Sequence, residues 1–100
     1  MSHLVMRLYV AGDAPNSVAA RTNLRRLLAS HDPSGHSLEI VDCLRDPMRA
    51  LREGVLVTPT LMRLEPEPVC TIVGSLSDSA RVLEALGLGP ATATAAASGA

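Results

Sequence analysis

Two cysteines, three histidines and a few serines near carboxylates are the residues of this 100-residue chain whose types could do chemistry. Cys43 and Cys70 stand too far apart for a redox Cys-x-x-Cys pair or a zinc site, and both read as small buried hydrophobes. A disulfide between them requires the fold to bring them together. His3, His31 and His36 show no ligand spacing, so no metal site is expected. Ser17 and Ser77 precede helical patterns without a His–carboxylate pair, which reads as helix-start chemistry and not as nucleophilic catalysis. The expectation is a protein with no catalytic residue, no metal and no cofactor.

The charge that remains is carried by arginine. All nine basic residues are Arg and none is Lys, and the guanidinium pairs with carboxylates bidentately. Arg45, Arg49 and Arg52 cluster around a short helical stretch, either as a solvated face or as a contact for an acidic patch on another protein. A net charge of −1 and a single aromatic residue, Tyr9, leave neither a basic footprint nor a stacking platform, so nucleic acid is not an expected partner. No apolar run approaches the ~20 residues that span a bilayer. The start MSHLVMRLYV enters a strand pattern directly, so no membrane and a cytoplasmic location are expected.

The elements that would position these residues follow from periodicity and punctuation. Leu4 to Ala11 is apolar on both alternating sets, as in a strand covered on both faces. Asp13 or Asn16 can cap a helix running to about Ser30, in which Ala20, Leu24, Leu27 and Leu28 form the buried stripe while Arg21, Arg25 and Arg26 point outward. The turn 31–35 ends it, and Ser37 to Leu44 forms a second strand, parallel to the first by the rule for βαβ units. Asp46-Pro47 starts a short helix that ends near Glu53, before Gly54. Thr60 to Glu65 and Val69 to Val73 read as strands joined through Pro66-Glu67-Pro68 and closed by Gly74. Ser77-Asp78 caps a last helix with the stripe Val82, Leu83 and Leu86, ended by Gly87. Residues 1–88 are therefore expected to form the domain, and 89–100 a disordered low-complexity tail.

This order is that of thioredoxin-like domains: βαβαββα on a mixed four-stranded sheet. Thr58-Pro59 sits where such domains open their third strand, although Asp13-Ala14-Pro15-Asn16 stands where redox cysteines would be. Pro59 is either a plain turn restraint or a cis residue of that type. More closely, Leu8-Tyr9-Val10-Ala11-Gly12 with Pro15-Asn16-Ser17, Val41-Asp42 with Pro47, Thr58-Pro59-Thr60-Leu61, and Gly74-Ser75-Leu76-Ser77-Asp78 together resemble the KaiB family, from about Leu4 to Leu88.

The resemblance implies a non-enzymatic regulatory protein of a circadian clock, timer or stress-response system that binds a KaiC-type ATPase. A histidine kinase carrying a KaiB-like domain is a second implied partner, and the resting state would be a homodimer or homotetramer. It also implies two folds for one sequence, the alternative being the family's ground state with a rearranged second half. Partner-contact candidates are Glu39, Val41, Arg45, Arg49, Arg52, Gly54 and Val57, and the strand from Ser37 to Leu44 is expected at a sheet edge open to strand addition. Fold-switch candidates are Thr58, Pro59, Pro66, Pro68, Gly74, Ala85 and Gly87. The chain departs from the family at Gly54, at Cys70-Thr71, at Ala19 and Thr22, and at Ala85-Leu86-Gly87. Ala in place of Gly at position 85 favours helix by ~1 kcal/mol, and hence the thioredoxin-like form. The competing function is a divergent thioredoxin-like redox protein, which would need an activated thiolate.

Overall fold

The computed structural model describes residues 3–31 and 35–88. Within them the order is β1 (Leu4–Val10), α1 (Pro15–His31), β2 (His36–Asp42), α2 (Pro47–Arg52), β3 (Thr60–Glu65), β4 (Cys70–Val73) and α3 (Ser79–Leu86). This is the expected βαβαββα arrangement and not the rearranged alternative. The expectation for 89–100 lies outside the described residues.

The four strands form one sheet in the order β2-β1-β3-β4. β1 pairs in parallel with β2, from Leu4 opposite His36 to Val10 opposite Asp42, as the helical crossover through α1 requires. Its other side pairs antiparallel with β3, Leu8 facing Leu61, with an irregularity between Val5 and Met6. β3 and β4 form the antiparallel hairpin. Being central, β1 must be apolar on both faces, which explains its doubly hydrophobic pattern.

Leu4, Met6, Leu8 and Val10 point to the side covered by α1 and α3, where they join Ala20, Leu24, Leu27, Leu28, Leu61, Ile72, Leu76, Val82, Leu83 and Leu86 in one core. Leu24 is fully buried there, a burial worth ~1.5–3 kcal/mol. Arg7 and Tyr9 point to the opposite side, the side of α2.

Helix ends follow local chemistry, with two differences from the sequence reading. α1 begins at Pro15, and the carbonyl of Ala14 accepts from Val18 N–H, so neither Asp13 nor Asn16 caps it. Ser17 is instead buried, its Oγ accepting from Ala11 N–H at 2.9 Å. At α3 the N-cap is Asp78, whose carboxylate accepts from Arg81 N–H at 3.2 Å, while Ser77 lies one residue before it. Asp46 caps α2 with Pro47 following, as expected. Gly87 ends α3 at φ 76°, a left-handed conformation that glycine adopts without a Cβ penalty.

The Thr58–Pro59, Glu65–Pro66 and Glu67–Pro68 bonds are cis. Arg63 stands on the core-facing side of β3, between Met6 of β1 and Cys70 of β4. Its Nη1 donates to Ala85 O at 2.6 Å and its Nη2 to Pro68 O at 2.7 Å, while its buried Nε has no acceptor. Arg63 thus ties the hairpin loop to the last turn of α3. Cys70 begins β4 at this end of the sheet, whereas Cys43 follows β2 at the other end, donating its N–H to Val10 O, and both thiols are free. Among the described residues no helix is long and apolar enough to cross a membrane, and no group of three His, Cys, Asp or Glu could hold a metal ion.

Candidate functional site

The segment from Asp42 to Val57 connects the βαβ unit to the hairpin, and its own chemistry fixes its course. The Asp42 carboxylate accepts from Gly12 N–H and Leu44 N–H, both at 3.0 Å, which pulls the chain into the turn 43–45. Gly12 has φ 51°, a left-handed conformation that favours glycine, and a Cβ there would lie 3.1 Å from the tip of the exposed Leu44 side chain, which is free to move aside. Asp46 and Pro47 then start α2, which is only six residues long. So short a helix has little stability of its own and must be held by the fold.

α2 is turned with its charge inward. Ala50 is its one buried residue, and the flanking Arg49 and Glu53 reach over the sheet. Met48 and Leu51 are 58% and 64% exposed. An amphipathic helix on a globular domain normally does the opposite. Leu44, Leu56 and Val57 are exposed as well, so five of the eight large hydrophobics exposed among the described residues fall within residues 44–57. This concentration makes residues 44–57 the candidate interaction surface, whereas single exposed apolar residues are ordinary.

The inward side is a closed ring of charges. Arg7 and Glu39 are direct cross-strand partners and form a 3.0 Å ion pair. Arg49 meets Glu39 with two guanidinium nitrogens, at 2.7 and 2.8 Å, and Glu53 with a third at 3.3 Å. Arg7 closes the ring onto Glu53 at 3.2 Å. The hydroxyl of Tyr9, a fully buried residue, accepts from Arg7 at 3.2 Å and donates to Glu53. Each carboxylate therefore serves both arginines, and two positive and two negative charges cancel. A single exposed ion pair is worth only ~0–1 kcal/mol. The bidentate contact and the closure of the ring add fixed geometry.

Titration follows this arrangement. The Arg49 hydrogen bonds hold the Glu39 carboxyl below the usual carboxylate range, with Arg7 adding to the effect. The Tyr9 hydrogen bond, followed by that of Arg49, does the same for Glu53. Burial pushes the Tyr9 phenol up. Burial, then the charges of Asp42 and Asp46, push the Cys43 thiol up as well, the reverse of what thiolate chemistry needs.

The partner-contact candidates separate into two groups. Glu39 and Arg49 are engaged inside the ring, and Val41 is buried beside Tyr9 in the β1–β2 register. Arg45, 88% exposed with a 3.6 Å pair to Asp42, lies outward with Arg52, Gly54 and Val57. Arg52 makes no ion pair among the described residues. Among the fold-switch candidates, Thr58 and Pro59 precede β3, Pro66 and Pro68 lie in the hairpin loop, and Gly74 donates to Pro59 O at 2.9 Å. Ala85 receives Arg63, and Gly87 terminates α3. β2 lies at the sheet edge. Arg7, Tyr9, Glu53 and Arg63 were not expected as site residues. The i, i+4 spacing of Arg49 and Glu53, and Arg7 and Tyr9 two apart on a strand, were the available signals.

Comparison with known proteins adds three findings. The family profile described as KaiB domain matches residues 7–88. Circadian clock oscillator proteins KaiB from a Prochlorococcus marinus strain and from Nostoc punctiforme are each 43% identical over 84 residues. Those residues are 84% of this chain, and 72% and 81% of the two relatives. Among solved structures, the N-terminal domain of Synechococcus elongatus SasA superposes with TM-score 0.69 at 21% identity, covering 87% of this chain and 86% of that one. Chloroplastic thioredoxin z superposes with TM-score 0.70 at 15% identity, covering 85% and 76%. At these identities the structural neighbours establish the thioredoxin-like fold alone.

Proposed function

The chain belongs to the KaiB family, and from that premise we propose that it is a regulatory binding protein of a circadian clock or related timing system, without enzymatic activity of its own. It docks on a KaiC-type ATPase through the outward side of α2 and its flanks. The observation that carries this reading is the inverted helix: Met48 and Leu51 face solvent while Arg49 and Glu53 face the sheet. An apolar centre with Arg45 and Arg52 beside it suits a partner patch of matching apolar character edged by carboxylates. The free edge of β2 is a second surface, suited to strand addition by another component, such as a histidine kinase carrying a related domain. Rearrangement of the half from Thr58 to Gly87, and self-association at rest, complete the proposal.

A redox role finds little support, because the start of α1 carries Asp13-Ala14-Pro15-Asn16, and the Cys43 thiol, on the turn beside that loop, is pushed up by burial and by Asp42 and Asp46. The test is to mix the purified chain with a KaiC homologue in ATP and in ADP and to follow the complex by analytical ultracentrifugation. Leu51→Asp is expected to weaken the complex at least tenfold while leaving the fold intact by circular dichroism. Failure of the unmodified chain to bind the ring in either nucleotide would overturn the proposal.

A further inference from the structure

We propose that Glu39 and Arg49 are positioning residues of the docking surface: they hold α2 with its apolar side outward and make no contact with the partner themselves. The proposal rests on the docking reading above and adds which residues build the surface and which touch what lands on it. α2 buries only Ala50, so apolar packing alone supplies little to fix its rotation about its own axis. The ring supplies what packing does not. Glu39 is anchored from β1 by Arg7 at 3.0 Å and grips Arg49 through two nitrogens at 2.7 and 2.8 Å. Glu53, just past the end of α2, is gripped by Arg7 at 3.2 Å and by the Tyr9 hydroxyl. Two points of attachment, one on the helix and one at its C-terminal end, define both the position and the rotation of α2.

The same geometry sets the charge that a partner meets. Arg7 and Arg49 are neutralised within the ring, and their side chains are only 23% and 25% exposed. Arg45 is half of a longer 3.6 Å pair at 88% exposure, and Arg52 is free of ion pairs among the described residues. Of the arginines in the ring and around α2, those available to a partner are therefore Arg45 and Arg52, one on each side of Met48 and Leu51 in sequence. A partner segment that presents an apolar contact between two carboxylates fits this pattern.

A double-mutant cycle separates holding from contact, because a coupled pair gives non-additive losses and two independent contacts give additive ones. Glu39→Ala, Arg49→Ala and the double variant are made in the full chain. Hydrogen exchange of the amides of residues 49–53 is read in the free protein, and affinity is read against a KaiC homologue. Each single variant is expected to speed exchange tenfold or more and to weaken binding about tenfold, and the double variant to match the singles within about threefold. Arg49→Lys, which keeps the charge but loses the bidentate fork, is expected to behave like Arg49→Ala. Arg52→Ala is expected to lower the association rate and flatten its salt dependence without changing exchange.

Additive losses near a hundredfold with unchanged exchange would make Glu39 and Arg49 contact residues and overturn the proposal. So would faster exchange with unaltered affinity, or no change in either. If the unmodified chain does not bind, the docking reading falls separately, and the exchange measurements still decide whether the ring holds α2.

Discussion

Replacing Arg63 by Met removes the guanidinium but keeps an unbranched apolar stem, and so tests what joins the hairpin to α3. The two bonds lost, at 2.6 Å to Ala85 O and 2.7 Å to Pro68 O, have a charged donor and are each worth ~1.5–3 kcal/mol net. Against them stands the buried Nε without an acceptor, whose desolvation costs ~1–3 kcal/mol and disappears in the variant. The Ala85 carbonyl belongs to the last turn of α3, where a cation gains a further ~0.3–1 kcal/mol from the helix dipole. The central values leave Arg63→Met destabilised by ~3 kcal/mol, which for a urea m-value near ~2 kcal/mol/M is a midpoint shift of about 1.5 M. Arg63→Lys, a point donor able to serve one carbonyl well, should fall about halfway. Urea unfolding measures the global loss. Hydrogen exchange at Gly87 and Leu88, whose amides bond Glu84 O and Leu83 O, reports loosening of the α3 end itself. An Arg63→Met protein as stable as the original, with unchanged exchange at these two amides, would refute the reasoning and show that the orphan Nε cancels both bonds.

Three further outcomes are expected. Tyr9→Phe leaves the buried ring in place and removes the hydroxyl between Arg7 and Glu53, so stability should fall by ~1–2 kcal/mol in thermal unfolding, with faster exchange at Glu53. Ser17→Ala removes the acceptor of Ala11 N–H at a site 1% exposed, and the stranded donor should cost ~1–3 kcal/mol in urea midpoint analysis. Because Glu39 and Glu53 titrate below the usual carboxylate range and Tyr9 above the usual phenol range, the ring should contribute fully between about pH 5 and pH 9. That contribution is lost on acidification below ~4.3, as the lowered carboxylates protonate, and on alkalinisation above ~10, as Tyr9 ionises. Exchange at residues 49–53 across pH reads both limbs.

The elements were legible because their signals are local. The stripe Ala20, Leu24, Leu27 and Leu28 is buried as its spacing requires, and the doubly apolar β1 is the central strand. Boundaries moved by a residue or two where a side chain intervened: β2 ends at Asp42 because its carboxylate draws 43–45 into a turn, ahead of the expected Leu44. The rotation of α2 was not legible. Six residues carry too little periodicity to fix a face, and the acceptor that turns Arg49 inward comes from Glu39 in another element, set opposite Arg7 by the register of β1 and β2. Arg63 was hidden for a similar reason, since its acceptors are main-chain carbonyls that leave no mark in the sequence.

The place of β1 in the sheet has one more consequence. β3, β4 and α3 join β1, α1 and β2 through the ladder from Val5 to Tyr9, through the one apolar core that both halves line, and covalently through the short tether that follows α2. That tether contains Leu56, which at 87% exposure is the most exposed large hydrophobic among the described residues. A chain cut at the tether keeps every strand whole in one fragment or the other, yet the fragments share one apolar core, so each is expected to need the other in order to fold.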